Sequence, residues 1–414
     1  MRDKILFLTP RYPFPLIGGD RVKAFHLLRL LSERFDVTCV SFVEDGPLSQ
    51  ERLDAIRKFG VKVHAIPLSR TKAISRVGLT ALSAKPLEIQ YYSDARYFRT
   101  VRALHRQSHF DIAISFFMRT AEYALALPNI RRILVAEDAR ILTQQRAMSS
   151  SRFKPANIMY ALERRKLFRY EPRIAGEFNI TTYVSEEERD FMVRLNPRIN
   201  AEIITNGVDL HEFPFADNQA GRHGLILCGK MDVLHNIRMA MRVGTEIFPA
   251  LKKKFPGLQF YIVGKNPVPE LRDLARRTNG IVITGEVPRV QEYIQSAAVF
   301  IHPLDSGSGI QNKLLEAMAL GTAAVTTPLG VSGIRAHDGV HLRITETSSE
   351  SIAACAELLS SPEQRGQLAA NARLLIERDH TWENVGMRLF DIIKRIYETP
   401  LLRQTIVAPM EVAY

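Results

Sequence analysis

Ser306-Gly-Ser-Gly-Ile-Gln-Asn-Lys-Leu-Leu-Glu-Ala-Met-Ala-Leu-Gly321 passes from a glycine-rich turn into a helix without a break. Gly307 and Gly309 admit positive φ and a close approach of backbone to ligand. The first helical turn then offers unpaired N–H groups and a partial positive charge, which together suit an anion. Lys313 adds a full positive charge. Glu316 follows about one turn later, so both side chains reach the same bound molecule. A cation for phosphate and a carboxylate for sugar hydroxyls fit a nucleotide-sugar. A capped amphipathic helix without a ligand fits the same spacing.

Working outward, short apolar runs flank this stretch at 299–302 and 323–326. The same alternation covers the second half. Strands are predicted at 225–228, 260–263 and 281–284, and helices at 236–248, 270–277, 290–297, 313–320, 351–359, 362–378 and 382–396. The first half predicts strands at 5–8, 37–43, 61–66, 111–116, 133–135, 180–184 and 202–204, with helices at 21–34 and 51–59. Short buried strands alternating with helices imply an α/β fold with parallel, doubly wound sheets. The polar stretch 214–224 separates two such series. The expected domains are therefore 1–205, a linker at 206–224, 225–380, a helix at 381–398 returning to the first domain, and a tail at 399–414. Two Rossmann-like domains facing each other would hold a ligand in a cleft at the carboxyl ends of their strands.

Composition narrows the function classes. The 414 residues are 46% hydrophobic and 24% charged, as in soluble globular proteins. No apolar run nears the ~18 residues of a membrane span. Three widely separated cysteines, Cys39, Cys228 and Cys355, give neither a disulfide framework nor zinc spacing, and fit a reducing cytoplasm. The net charge of +12 is uneven. Residues 1–205 carry 34 Lys and Arg against 22 Asp and Glu, while residues 206–414 carry 22 of each. Arg152, Lys154, Arg164, Arg165, Lys166, Arg169 and Arg173 concentrate part of the excess. Such a face suits anionic lipid or an acidic substrate, or is a solvated helix surface. Nucleic acid is not expected, since no recognition motif interleaves aromatics with the basic residues.

Four blocks resemble the two-Rossmann (GT-B) nucleotide-sugar glycosyltransferases, in particular the large retaining family 4 and its bacterial exopolysaccharide-associated subgroup. The first is Pro10-Arg-Tyr-Pro-Phe-Pro with Gly18-Gly19. The second joins Val184-Ser185-Glu186 to Ile204-Thr-Asn-Gly-Val-Asp209 and Phe213. The third contains Gly229-Lys230-Met231-Asp232, His235-Asn236, Val263-Gly264 and Gly285-Glu286-Val287. The fourth is the stretch from Ser306 through Gly321 to Ala324-Val325. The family carries two glutamates eight residues apart in that last block. Glu316 matches the second, and Ser308 stands in place of the first. A histidine frequent near the 111–116 strand is also missing, since Ser115-Phe-Phe-Met118 holds none.

The resemblance implies transfer of a hexose from a UDP- or GDP-sugar to a glycan or lipid-linked acceptor, with retention and without a metal cofactor. It assigns the diphosphate to Lys230, Lys313 and the backbone of Ser308, Gly309, Ile310 and Gln311. Glu316 would hold the ribose, while Asn236, Gly264, Glu286 and Val287 would line the donor pocket with Gly307. Gly18 and Gly19 would leave room for the diphosphate or acceptor, and Glu137 and Asp138 would contact the acceptor or sugar. Each has a structural alternative: a surface lysine for Lys230, turn glycines, and a surface pair or helix cap for Glu137-Asp138. Asp20 is expected to cap the 21–34 helix. His105 and His109 are read as helix-end residues. The expected location is cytoplasmic, with peripheral contact at the inner membrane face. Two rivals stay open: a sugar-nucleotide epimerase on the same scaffold, and a non-catalytic sugar-nucleotide-binding subunit, which Ser308 favours.

Overall fold

Seven strands of the first half pair into one parallel sheet: β1 (Lys4–Thr9), β2 (Asp36–Val43), β3 (Lys62–Pro67), β4 (Ile112–Phe116), β5 (Arg131–Glu137), β6 (Ile180–Tyr183) and β7 (Ala201–Ile203). Their order is β3-β2-β1-β4-β5-β6-β7. Leu6 sits opposite Thr38 on one side and Ala113 on the other, so the strand order reverses beside β1. A second parallel sheet has the order β10-β9-β8-β11-β12-β13, from β8 (Leu225–Cys228), β9 (Phe260–Val263), β10 (Ile281–Gly285), β11 (Val299–His302), β12 (Ala323–Thr326) and β13 (Arg343–Ile344). Here the order reverses beside β8, whose Ile226 pairs with Tyr261 and Phe300. The inner strands β1, β2, β4, β5, β6, β8, β11 and β12 are buried on both faces, which explains their unbroken apolar runs, while the edge strands β3, β7, β10 and β13 are partly exposed. This computed structural model describes residues 2–401 apart from 45, 47, 81–82, 150–155 and 308.

The chain forms two compact units, 1–204 with 386–414 and 205–385. Each has its own core. Leu6, Leu8, Val40, Phe42, Tyr97, Leu134 and Tyr183 belong to the first. Leu225, Leu227, Phe248, Phe260, Ile262, Val299 and Val325 belong to the second. The 214–224 segment is tied down within the second unit. Ala216 N–H donates to Leu320 O at 3.3 Å, and Arg222 donates to Thr322 Oγ1 at 2.6 Å. The Trp382–Ile396 helix begins in the second unit and ends in the first. From Gly386 onward it packs on the first sheet's helices. Phe390 contacts Phe35 at 6.2 Å between ring centroids, and the Arg34 guanidinium lies 4.1 Å from the Phe390 ring centre.

Two local expectations change. Asp20 does not cap the first helix, which runs Gly19–Arg34 with Gly18 as N-cap at φ 96°. The earlier start places Asp20 inside the first turn, where its carboxylate pairs with Arg11 at 2.9 Å. The helix expected at 236–248 runs as Leu234–Arg242, a π-helical turn Val243–Ile247, and Phe248–Lys254. Pro249 has no N–H to donate, so the ladder is already interrupted where the wider turn occurs. Helices Arg70–Leu79, Leu87–Tyr91 and Ala95–Ser108 also fill the interval between β3 and β4. Only Tyr97 and Val101 are fully buried on the last of them, too thin a stripe to announce it.

Candidate active site

The second sheet ends in three glycines. Gly229, Gly264 and Gly285 follow or close β8, β9 and β10, and Gly264 N–H donates to Gly285 O at 3.0 Å while Gly229 N–H donates to Val263 O at 2.9 Å. Gly264 adopts φ 145°, and a Cβ there would overlap the Gly229 carbonyl oxygen. A Cβ on Gly229 would lie 2.7 Å from Asn236 Nδ2 and 2.8 Å from Lys313 Nζ. Backbone thinness at this edge is therefore what lets the Lys313 ammonium reach the end of β8. Asn236 is fixed by donating from Nδ2 to Lys230 O at 3.0 Å, closing the 230–236 turn.

Lys313 and Glu316 lie on the Asn312–Ala319 helix, which starts at Gln311 with no side-chain cap. Leu314, Leu315, Ala317 and Met318 are buried around them, so both charges are half-enclosed by apolar surface. Burial lowers the Lys313 ammonium, which the Cys228 thiol and Glu316 carboxylate partly offset. Burial pushes Glu316 up to about 7 against the pull of Lys313, with Glu212 adding to the rise. Among the described residues Lys313 Nζ has no hydrogen-bond or ion-pair partner. A desolvated, unpaired ammonium strengthens any interaction with a phosphate that reaches it.

The loop before this helix is open. Gly307 (φ 135°) would bring a Cβ no nearer than 3.9 Å to Leu304, and Gly309 (φ 69°) has nothing within 4 Å. These glycines serve backbone conformation and free space rather than packing. Ile310 is buried, and Gln311 Nε2 donates to Gly309 O at 3.5 Å. Ser308 lies outside the described residues. The loop's near end is anchored by Thr327 Oγ1 donating to Leu304 O at 2.6 Å and by an Arg238–Asp305 pair at 3.4 Å.

Lys230 is half exposed and pairs with Asp232 at 3.3 Å. Glu286 is exposed near Lys265 at 3.7 Å, with Val287 partly exposed beside it. Two histidines absent from the sequence assignment belong to the same neighbourhood. His302, the last residue of β11, is fully buried and held down to about 3 by burial, the Lys313 charge and His235. His235 is lowered by burial and then by Lys313. Their signal was positional: His302 closes a strand on the edge where parallel sheets place ligands.

Gly18, Gly19, Glu137 and Asp138 belong to the first unit. Glu137 ends β5 at φ 70°, a conformation rare for a non-glycine residue, and its carboxylate meets Lys23 Nζ at 2.6 Å. Lys23 also donates to Ile204 O at 2.9 Å. Burial raises Glu137 and lowers Lys23 despite their attraction. Sequence reading found the acid and missed its buried cation, which sits within an apolar helix stripe. Asp138 lies 4.0 Å from Arg140, which pairs with Glu88 at 3.0 Å. Among the described residues no cluster of three or more His, Cys, Asp or Glu could hold a metal ion, and no helix is long and apolar enough to cross a membrane.

Comparison with solved structures decides the architecture. Anabaena HepE in complex with UDP and glucose aligns at a TM-score of 0.65, with 14% identity, covering 95% of this chain and 99% of that one. Sucrose-phosphate synthase from Thermosynechococcus elongatus aligns at 0.70, with 14% identity, covering 96% and 100%. The chain has the GT-B fold. Within it, residues 222–361 match the family model described as "Glycosyl transferases group 1", which takes in the β8 edge, Lys313 and Glu316. The phosphatidyl-myo-inositol mannosyltransferase of Mycolicibacterium smegmatis is 31% identical over 206 residues, 47% of this chain and 51% of the relative. The chain thus spans about half the length of that curated relative.

The Glu316 carboxyl gives this GT-B site a pH signature. Its value is raised, so the carboxylate fraction climbs as pH rises through about 7. If the carboxylate accepts ribose hydroxyls, donor affinity rises about tenfold from about pH 6 to about pH 8. Calorimetry in that window checks it, and Glu316→Gln should flatten the profile.

Proposed function

We propose that the protein is a glycosyltransferase that moves a hexose from a UDP- or GDP-sugar to a glycan or lipid-linked acceptor, with retention of anomeric configuration. The observation that carries this reading is the Lys313 ammonium at the glycine edge of the second sheet, without a partner among the described residues and one turn from Glu316. HepE is described in complex with UDP and with UDP-glucose, and the curated relatives act as mannosyltransferases, which supports a nucleotide-sugar donor. In the proposed reaction the C1–O bond to the diphosphate breaks while an acceptor oxygen bonds C1 on the same face. The acceptor proton passes to the departing phosphate. Lys313, with Lys230 and the loop amides, offsets the charge that develops there, so no metal takes part. We place the protein in bacterial polysaccharide or glycoconjugate synthesis, in the cytoplasm, with unit 1 in peripheral contact with an anionic membrane.

Ser308 favours a second reading, a sugar-nucleotide-binding subunit without transfer, because serine supplies no carboxylate at that position. A thermal-shift screen over UDP- and GDP-sugars, followed by transfer assays with and without EDTA, tests both. The expected result is a raised melting midpoint with one donor, EDTA-insensitive transfer, and a product whose anomeric signal by NMR matches the donor's. Binding without transfer across an acceptor panel would support the subunit. Donor conversion without acceptor would mark an epimerase, and no donor binding at all would overturn the proposal.

A further inference from the structure

The Ala156–Ala175 helix of unit 1 turns an unusual face outward. Leu162, Arg164, Arg165, Phe168, Arg169 and Arg173 are all exposed. At 100° per residue they occupy one half of the helix circumference. Leu162 is 54% exposed and Phe168 49%, so two large apolar side chains stand among four guanidinium groups. No acid shares the face. Glu163 turns to Lys166 at 3.0 Å and accepts from Leu87 N–H at 2.8 Å. Glu171 is buried and accepts from Arg140 and Ile141 N–H groups at 2.9 and 3.0 Å. Among the described residues none of the four arginines forms a hydrogen bond or ion pair. Arg173 only overhangs Tyr170, at 5.9 Å.

Two cavities open on either side of Phe168. One, of about 430 Å³, lies among Ile141, Arg164, Arg165 and Arg169. The other, of about 370 Å³, lies among Arg169, Arg173, Arg198 and Leu195, with Glu177 as its one acid. Each therefore combines an apolar wall with several guanidinium groups. Four unpaired like charges on one face repel, and an apolar pair held between them stays in water. Both conditions are relieved together by a surface that is anionic at one depth and apolar just beneath it. Guanidinium groups pair with phosphate in a forked geometry, their stems lie along apolar surface, and Phe and Leu tips enter the headgroup boundary.

We propose that this helix face docks unit 1 on an anionic lipid surface, the arginines binding lipid phosphates and Leu162 and Phe168 entering the interface. The inference names the element behind the peripheral contact placed in the proposed function and rests on that reading for its purpose. Sedimentation of the full chain with phosphatidylcholine vesicles, with or without one-third phosphatidylglycerol, tests it at low and high salt. The expected result is binding only to the anionic vesicles. Arg164→Gln, Arg165→Gln and Arg169→Gln combined should weaken it about 100-fold, at about fivefold per arginine. Leu162→Ser with Phe168→Ser should abolish the part that survives high salt. Melting curves of both variants should match the parent, since the replaced side chains are exposed. Equal binding to neutral vesicles, unchanged binding by both variants, or a preference for single-stranded RNA over vesicles would overturn the docking assignment. Donor-induced thermal shifts are read separately on the same proteins. If the parent chain shows a donor-induced shift but does not bind anionic vesicles, only this inference falls, and vesicle binding by the parent without any donor shift sinks only the transferase reading.

Discussion

Lys313→Ala lowers kcat by about 10²–10³-fold, the loss typical of removing one preorganised group from developing charge. The prediction follows from the ammonium's place. It is half-enclosed by apolar neighbours, held 2.8 Å from where a Gly229 Cβ would stand, and unpaired among the described residues. Among the described residues its ammonium makes no hydrogen bond or ion pair, and its pull on the Glu316 carboxyl only partly offsets burial, so the melting midpoint should hold or rise as a desolvated cation is removed. Single-turnover kinetics and a melting curve on the same preparation separate the two effects. Glu316→Ala should cost more than about tenfold in turnover by the same measurement. Near-normal turnover in either variant would remove that side chain from the mechanism.

Gly264→Ala destabilises the second unit by about 3 kcal/mol or more, a melting shift of roughly 6–12 °C for a unit of this size. Two costs add. The residue sits at φ 145°, where L side chains are strained by about 1–3 kcal/mol, and its Cβ would overlap the Gly229 carbonyl oxygen. Relief requires β8 and β9 to separate at their ends, which moves Gly229 away from Asn236 and Lys313. Gly309→Ala is the contrast. It shares the positive φ, yet its Cβ meets nothing within 4 Å, so its cost should stay near 1 kcal/mol. Differential scanning calorimetry distinguishes them. Equal shifts would show that conformational strain alone, not the strand-end crossing, decides the penalty.

The inner strands of both sheets were legible because they are buried on two faces and read as unbroken apolar runs, such as Ile5–Leu8 and Val299–His302, whereas β13, two half-buried residues at a sheet edge, gave no such run. The glycine loop and the Lys313–Glu316 pair were legible because their spacing is local. What escaped detection was non-local. Lys23 is a cation within an apolar helix stripe, and only its meeting with Glu137, more than a hundred residues on, explains it. The Gly264–Gly229 crossing depends on two strands being neighbours, which no single window contains. Asp20 misled because Asp before an apolar run is a good cap, yet Gly18, already at positive φ, ended the extended segment first. Lys230 reads as a phosphate ligand by position, and its pairing with Asp232 at 3.3 Å is a detail of the 230–236 turn that position alone does not give.

The return of the chain to its first unit at Gly386 gives folding a direction. Residues 205–385 leave the ribosome as a complete set, whereas the unit begun first waits for its last helix. Until Phe390 arrives, Phe35 and Arg34 lack the ring they pack against. The first unit, whose sheet is synthesised first, is therefore the one whose packing is completed last.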